Sequence, residues 1–421
     1  MRPAGGKKMV LWIGVWALAG ALMVALVGFW QPAGPHYQDV DIYYQWSQSM
    51  LETGALPNEA LWQYPPGAAF VMLAPQVSFA AFQPSFMVLM LAFDLAGLWL
   101  ITRFAKQEQR DVGVWVWLLA IPVLATVPSW GGMPLLRFDL VPTVAAMAGL
   151  LVIHRRPGWF GAMAGVGAAI KVWPAFILFG EWDRRRLLRS ALFAAGTVAA
   201  IFAIAAIFLG NPFGFLNDQG GRGLQAEAVG ALPWKIREVV TGEGQLIEAR
   251  YGSNEIASSF GDTVAKFLDL AAVIVLLAAA VGWRLRERGI RNGRIELADV
   301  ALSRDFVFTV SLLFVVVSRV LSPQYMIWMV GLCAVVLTSR RTSISRAAWL
   351  TVGAIVLTAG VVQASAITLV TRNLVLLYAA VDAAVVLTMT LLKPSGEPEE
   401  ETGPGEGNRR QPAAESVMDI A

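Results

Sequence analysis

The sequence predicts an all-α polytopic membrane protein, a helical bundle of about 11–13 spans. Three observations carry that expectation. Of 421 residues, 57% are hydrophobic and only 15% charged, with a mean hydropathy of +0.59; a soluble domain would carry about 25% charged residues. The apolar residues gather into runs long enough to cross a bilayer, which takes about 20 residues each. Most of the Lys and Arg residues fall in short clusters between those runs, the pattern of loops held on the cytoplasmic side. Composition also narrows the chemistry. One cysteine, Cys333, excludes an intramolecular disulfide, and two histidines, His36 and His154, leave no Cys/His zinc site. The net charge of +3 is dispersed, and no basic face with interleaved aromatics points to nucleic acid.

The elements follow in order. Run 9–29 is longer than the apolar core of a signal peptide and is succeeded by further spans, so it reads as an uncleaved anchor. Basic clusters at 2–8, 103–110, 155–156, 184–189, 284–304, 340–346 and 393–410 mark the inner side, which puts the N-terminus in the cytoplasm. Further apolar runs lie at 66–82, 85–104, 113–128, 139–153, 158–182, 188–209, 263–283, 305–339, 346–364 and 373–392. Runs 158–182 and 305–339 each begin and end at inner clusters, so each is expected to turn back as a broken hairpin. Non-helical backbone at membrane depth is tolerated only where protein buries it or a wet cavity borders it; both hairpins therefore point to a central cavity. Segment 66–104 has two readings. Two full crossings would place 103–110 outside, against the charge rule, whereas a re-entrant piece followed by one crossing places it inside. Two large outer loops remain, about 31–64 and 211–262. Residues 1–392 form one membrane domain, and the tail 393–421, rich in Pro, Gly and Glu, is expected to be disordered.

Residues able to carry chemistry lie outside the basic clusters. Asp39 and Asp41 sit just beyond the first span among aromatics that include Tyr43 and Tyr44. At spacing i, i+2 they share a face on a strand and diverge on a helix; one is a base for a substrate half in lipid, or both cap a helix in a solvated loop. Tyr64-Pro65-Pro66 stiffens the end of the same loop and sets Trp62 and Tyr64 against a ligand, unless it is a plain turn with interfacial aromatics. Arg137 and Asp139 make either a local ion pair or the polar wall of an outer cavity. Lys171 interrupts an apolar run; a lysine at depth is costly unless paired, so it holds a lipid phosphate or snorkels to the interface. Gly161 and Gly165 form a GxxxG whose expected role is helix packing. The run 220–227 is a glycine hinge, or a backbone that approaches a ligand, with Arg222 on a phosphate or sugar and Gln225 and Glu227 beside it; it lacks the ending of a P-loop. Arg319 lies at the break of the second hairpin with Ser322, Pro323, Gln324 and Tyr325, where a phosphate contact is favoured over an internal salt bridge.

Taken in order, these runs resemble glycosyltransferase family 87 of the GT-C superfamily, polytopic actinobacterial enzymes that use polyprenyl-phosphate sugars. The resemblance rests on Asp39-Val40-Asp41-Ile42-Tyr43, Trp62-Gln63-Tyr64-Pro65-Pro66-Gly67, Arg137-Phe138-Asp139, Lys171-Val172-Trp173-Pro174, the run from Arg222 to Glu227, Tyr251-Gly252-Ser253 and the run from Ser318 to Tyr325. It implies a GT-C fold with an outward-facing site and a base early in the first outer loop, a position that Asp39 matches better than Asp41. Tyr43, Tyr64, Arg137, Asp139, Lys171, Arg222, Gln225, Glu227, Arg319, Gln324 and Tyr325 are then substrate-binding candidates, with Asp41. Some mannosyltransferase members carry a histidine near the late break, where this chain has Ser318 and Arg319. The implied reaction is inverting transfer of a sugar, mannose first, from a polyprenyl-phosphate donor to a lipid-linked or envelope glycan. Neither metal nor cofactor is expected, because cations suffice to hold a monophosphate leaving group. A transporter or flippase of lipid-linked sugars is the alternative; the absence of an internal inverted repeat weighs against it.

Overall fold

The computed structural model describes residues 4–30, 38–78, 81–126, 132–217, 221–244, 246–293, 295–296, 299–361 and 366–393. The tail 394–421, His36 and Gly220 lie outside the described residues. The chain runs through α1 (Ala4–Trp30), α2 (Gln38–Thr53), α3 (Gly67–Leu73) with a 3₁₀ continuation to Val77, α4 (Phe82–Glu108), α5 (Val112–Ala125), α6 (Met133–Leu136), α7 (Leu140–Leu151) and α8 (Pro157–Ile170). A 3₁₀ segment, Trp173–Gly180, leads to α9 (Arg184–Leu209), α10 (Leu232–Thr241), β1 (Ile247–Arg250), β2 (Ser253–Ile256), α11 (Ser259–Arg291), α12 (Val300–Val317), α13 (Tyr325–Thr338), α14 (Ser345–Val361) and α15 (Ala366–Leu392).

The protein is thus an all-α polytopic membrane protein. Six of the helices, α1, α4, α9, α11, α12 and α15, are long and apolar enough to cross a membrane. They divide by burial: 78% of the apolar window of α12 is inside the protein, against 17% for α9 and α11. The first is a core helix, and the other two turn most of their surface outward as lipid-facing helices do.

Contacts among the basic clusters settle the ambiguous segment 66–104. Lys8 pairs with Asp111 at 2.5 Å, Arg304 with Glu108 at 2.8 Å, and Arg340 donates to the Gln109 carbonyl at 2.8 Å. Arg110 donates to the Ser339 carbonyl at 3.0 Å. The 103–110 cluster therefore shares one end of the bundle with the others, and α4 is a single crossing. The expected span 66–82 is instead a short piece, Gly67–Val77, too short to traverse the bilayer. It is the re-entrant alternative.

Both broken hairpins form where expected. α8 ends at Lys171, whose backbone is extended (φ −146°, ψ 137°), and the 3₁₀ segment carries the chain back to Glu181. α12 ends at Ser318, and helix resumes only at Tyr325. Gly161 and Gly165 lay α8 directly on α9: a Cβ at these positions would fall 2.0 Å from the Ser190 carbonyl oxygen and 2.6 Å from that of Ala194. The GxxxG is a packing motif.

The helices that end at the site are short. α5, α8 and α13 have 14 residues each and α7 has 12, or about 18–21 Å at 1.5 Å per residue. All four have one terminus at the basic end. Each is shorter than a hydrocarbon layer of about 30 Å, and the breaks at Lys171 and at 318–324 begin where α8 stops and end where α13 starts. The described parts of the two large loops are structured. The first contains α2, and the second contains α10 and a β1–β2 hairpin, the two-stranded exception to the all-α pattern. Tyr251 (φ 51°) and Gly252 (φ 69°) both take the left-handed conformation of its tight turn.

Candidate functional site

α2 resolves the Asp39/Asp41 pair. Both lie in its first turn, where carboxylates suit the helix dipole, and two residues along a helix turn them roughly 200° apart. Asp41 is exposed. Asp39 turns inward and forms an ion pair with Arg137, its side chain 33% exposed against 11% for the arginine. Arg137 also donates to the Gln324 amide oxygen at the break between α12 and α13. One guanidinium thus joins the first outer loop to the second hairpin.

Arg137 and Asp139 do not pair with each other. Phe138 between them is fully buried, and the two charges reach opposite ways. Asp139 stands at the start of α7 but makes no capping bond with its side chain. Its Oδ1 instead accepts from Lys171 Nζ and from the Trp328 indole, both at 2.6 Å. Its Oδ2 is buried without a hydrogen-bond partner. Lys171 therefore neither snorkels nor stands alone: it is buried, paired, and enclosed by the rings of Phe138, Trp328, Tyr64 and Tyr325, with Nζ 5.0, 5.4, 5.6 and 5.9 Å from their centres. Such cation–π contacts strengthen when desolvated. Asp39, Arg137, Asp139 and Lys171 lie within electrostatic range of one another.

Aromatic packing sets this geometry. The Tyr64 ring lies 5.0 Å from Phe138, and Tyr43 lies 5.4 Å from the same ring. Burial pushes both phenols well above their ordinary range, and the neighbouring carboxylates add to the shift. Both are therefore neutral hydrogen-bond donors at physiological pH and not bases. Tyr64-Pro65-Pro66 reaches the end of α8 because Gly67 has no side chain; a Cβ there would sit 2.5 Å from the Ala169 carbonyl oxygen. Trp173, Trp328 and Tyr325 stack in series, at 5.3 Å and 4.0 Å between centres.

The second loop closes over this cluster. Arg319 Nη1 donates to the Arg222 carbonyl at 3.0 Å, and the Arg319 carbonyl accepts from the Gln225 amide at 3.0 Å. The Arg222 guanidinium donates to the Tyr251 carbonyl at 2.9 Å, its Nε lacks a partner, and its charge reaches Tyr325. For Arg319 the internal salt bridge, the less favoured alternative, does form: Asp269 on α11 pairs with it at 3.2 Å. That pairing needed the fold, since 50 positions in sequence separate the two residues. Glu227 stands apart. Its carbonyl accepts from Arg372 and Asn373 at the far end of α15, and burial raises its carboxyl despite the pull of Arg372. Its contacts run to α15 and not to the Asp39 cluster.

Sequence reasoning missed Trp328, Phe138 and Asp269. Trp328 was within reach, since it lies three residues beyond Tyr325 on the same helix face.

The arrangement offers one part-exposed carboxylate, a buried ion pair with an unsatisfied acceptor, and two further cations at the rim. It suits a substrate that brings a hydroxyl to the carboxylate and an anion to the cations. The sequence profile of glycosyltransferase family 87 matches residues 62–315, more than half the chain. The match takes in Tyr64, Arg137, Asp139, Lys171 and Arg222, and leaves Asp39 and Gln324 outside its bounds. No curated protein matches the chain. The chain belongs to glycosyltransferase family 87 and is a membrane glycosyltransferase.

Proposed function

We propose that the enzyme moves a sugar, mannose first, from a polyprenyl-phosphate donor to a lipid-linked or cell-envelope glycan on the extracytoplasmic side of the plasma membrane. The observation that carries this reading is the placement of Asp39. It is a carboxylate one-third exposed, ion-paired to Arg137 and within electrostatic range of Lys171, while Arg222 and Arg319 meet at the break that Arg137 also reaches through Gln324.

In the proposed step, the acceptor hydroxyl oxygen attacks the anomeric carbon and its proton passes to Asp39. The bond from that carbon to the phosphate oxygen breaks, its electrons leave with the polyprenyl phosphate, and the configuration inverts. Asp39 must lie within about 3 Å of the hydroxyl. In the resting protein its partner is Arg137, which keeps Gln324 as a second partner when the carboxylate turns to the acceptor. Cations near the departing phosphate stabilise the charge that develops there; Lys171, Arg222 and Arg319 are the candidates for that role.

The test uses purified protein, radiolabelled polyprenyl-phosphate mannose and a membrane extract as acceptor source. Asp39→Asn is expected to lower transfer by about 10²–10⁴-fold, the usual worth of a general base, with the protein still inserted. Full transfer by that variant would refute the assignment. Movement of intact donor across vesicles, with no label in glycan, would favour the flippase alternative.

A further inference from the structure

We infer that α10 is an interfacial helix, seated by its outward face in the lipid leaflet on the site side of the membrane. Two observations converge. The first is the depth at which α10 begins. Asn373 to Leu392 of α15 is a 20-residue, mainly apolar stretch whose one charge, Asp382, pairs with Arg346 at 3.7 Å; it is about 30 Å long and so matched to the hydrocarbon layer. Leu392 lies at the basic end, so Arg372 and Asn373 mark the opposite hydrocarbon boundary. Both side chains hold the chain just before α10: Asn373 Nδ2 donates to the Ala228 carbonyl at 3.2 Å, and Arg372 donates to that of Glu227. α10 starts four residues later and packs on α15. It therefore lies at the level where acyl chains give way to headgroups.

The second observation is the face it turns outward. Leu232 and Lys235 are buried against the protein, and Lys235 is neutralised by Glu238 at 2.9 Å. At 100° per residue, Pro233, Ile236 and Val240 fall within about 60° of one another on the other side. All three are exposed, Ile236 by 43% and Val240 by 75%. Arg237 borders this strip and pairs with Glu243 at 2.5 Å, as a charge at the edge of an interfacial helix does. α15, on which α10 packs, exposes apolar side chains of its own at Leu374, Leu377, Tyr378 and Val381, as a lipid-facing helix does. An apolar strip on a helix packed against such a span meets leaflet lipid rather than a soluble partner. The second outer loop, which carries Arg222 at its start, is thus tied to the membrane surface as well as to the bundle.

The test reads depth, not activity. Val240→Cys is labelled with an environment-sensitive fluorophore in the full chain, whose one native cysteine, Cys333, is buried in α13. The protein is reconstituted in phosphatidylcholine–phosphatidylglycerol vesicles with or without nitroxide-labelled acyl chains. We expect a blue-shifted emission, quenched at least about twofold by a shallow nitroxide and resistant to iodide. Thr241→Cys, on the polar side, is expected to show the reverse. Ile236→Cys repeats the reading at a second position of the strip, should the Val240 variant not fold. Quenching of the strip by iodide alone would place α10 in water, and protection from both quenchers would place protein over it; either overturns the inference.

Discussion

At the scale of single residues, the buried ion pair Asp139–Lys171 is the feature whose removal is most informative. Breaking a buried pair by deleting one partner typically costs about 3–5 kcal/mol, because the other charge is left uncompensated, whereas replacing both can be neutral. Lys171→Met is therefore expected to destabilise the protein by about that amount, seen as a lowered midpoint of thermal unfolding in detergent. The double variant Lys171→Met/Asp139→Asn should regain most of the loss while transfer stays abolished. Recovery of activity together with stability would make the pair purely structural. The Arg319–Asp269 pair behaves differently. Asp269 is 54% exposed and Arg319 only 16%, so the acid is the partner that gives way when another anion arrives. A pair this open is worth about 0–1 kcal/mol. If the donor phosphate takes the place of Asp269, Asp269→Asn should lower the donor KM by up to about fivefold, and Arg319→Gln should raise it. Steady-state kinetics against donor concentration decide the matter; equal donor KM values in all three proteins would remove Arg319 from the phosphate site.

At the scale of elements, the site depends on where α8 stops, and α8 is positioned by its glycines. Gly161→Leu places a side chain where the Ser190 carbonyl oxygen now sits, 2.0 Å from the would-be Cβ. Such overpacking typically costs about 1–3 kcal/mol, and here it also tips α8 away from α9 and moves Lys171 off Asp139. A lowered unfolding midpoint with lost transfer is expected, and Gly196→Leu, on α9 in open space, should leave both unchanged. Much of this level was legible in the sequence. The long spans, both broken hairpins and the GxxxG contact follow from local pattern, since apolar run length and small-residue spacing are properties of one segment. The 66–104 segment was undecidable locally, because Gly67–Val77 and a true span are equally apolar and differ only in helix length. The ion pairs were not legible. Arg137 and Asp139, two residues apart, look like partners, yet with Phe138 buried between them Arg137 pairs with Asp39 and Asp139 pairs with Lys171. Asp269, ten residues into an apolar helix, acquires meaning only when α11 packs on α12.

At the scale of the whole molecule, the short helices and the basic clusters make one argument. Each excursion from the basic end returns to it: α1 and α4, α5 and α7, α8 and its 3₁₀ return, α9 and α11, α12 and α13, α14 and α15. The loop with Asp39 and the basic turn at 340–341 therefore lie at opposite ends. Because Lys and Arg bias loops toward the cytoplasm, the basic end is expected inside and the Asp39 cluster outside. Cys333 is buried, so a single added cysteine reports alone. A membrane-impermeant maleimide applied to intact cells should label Asp41→Cys, which lies in the exposed first turn of α2, and should spare Arg341→Cys until the membrane is opened. Labels in the reverse order would put the carboxylate of Asp39 in the cytoplasm, where nucleotide sugars are at hand. That outcome would overturn the proposed polyprenyl-phosphate donor on the extracytoplasmic side. The orientation measurement thus bears on the donor class as directly as a transfer assay, and it does so without the true substrate in hand.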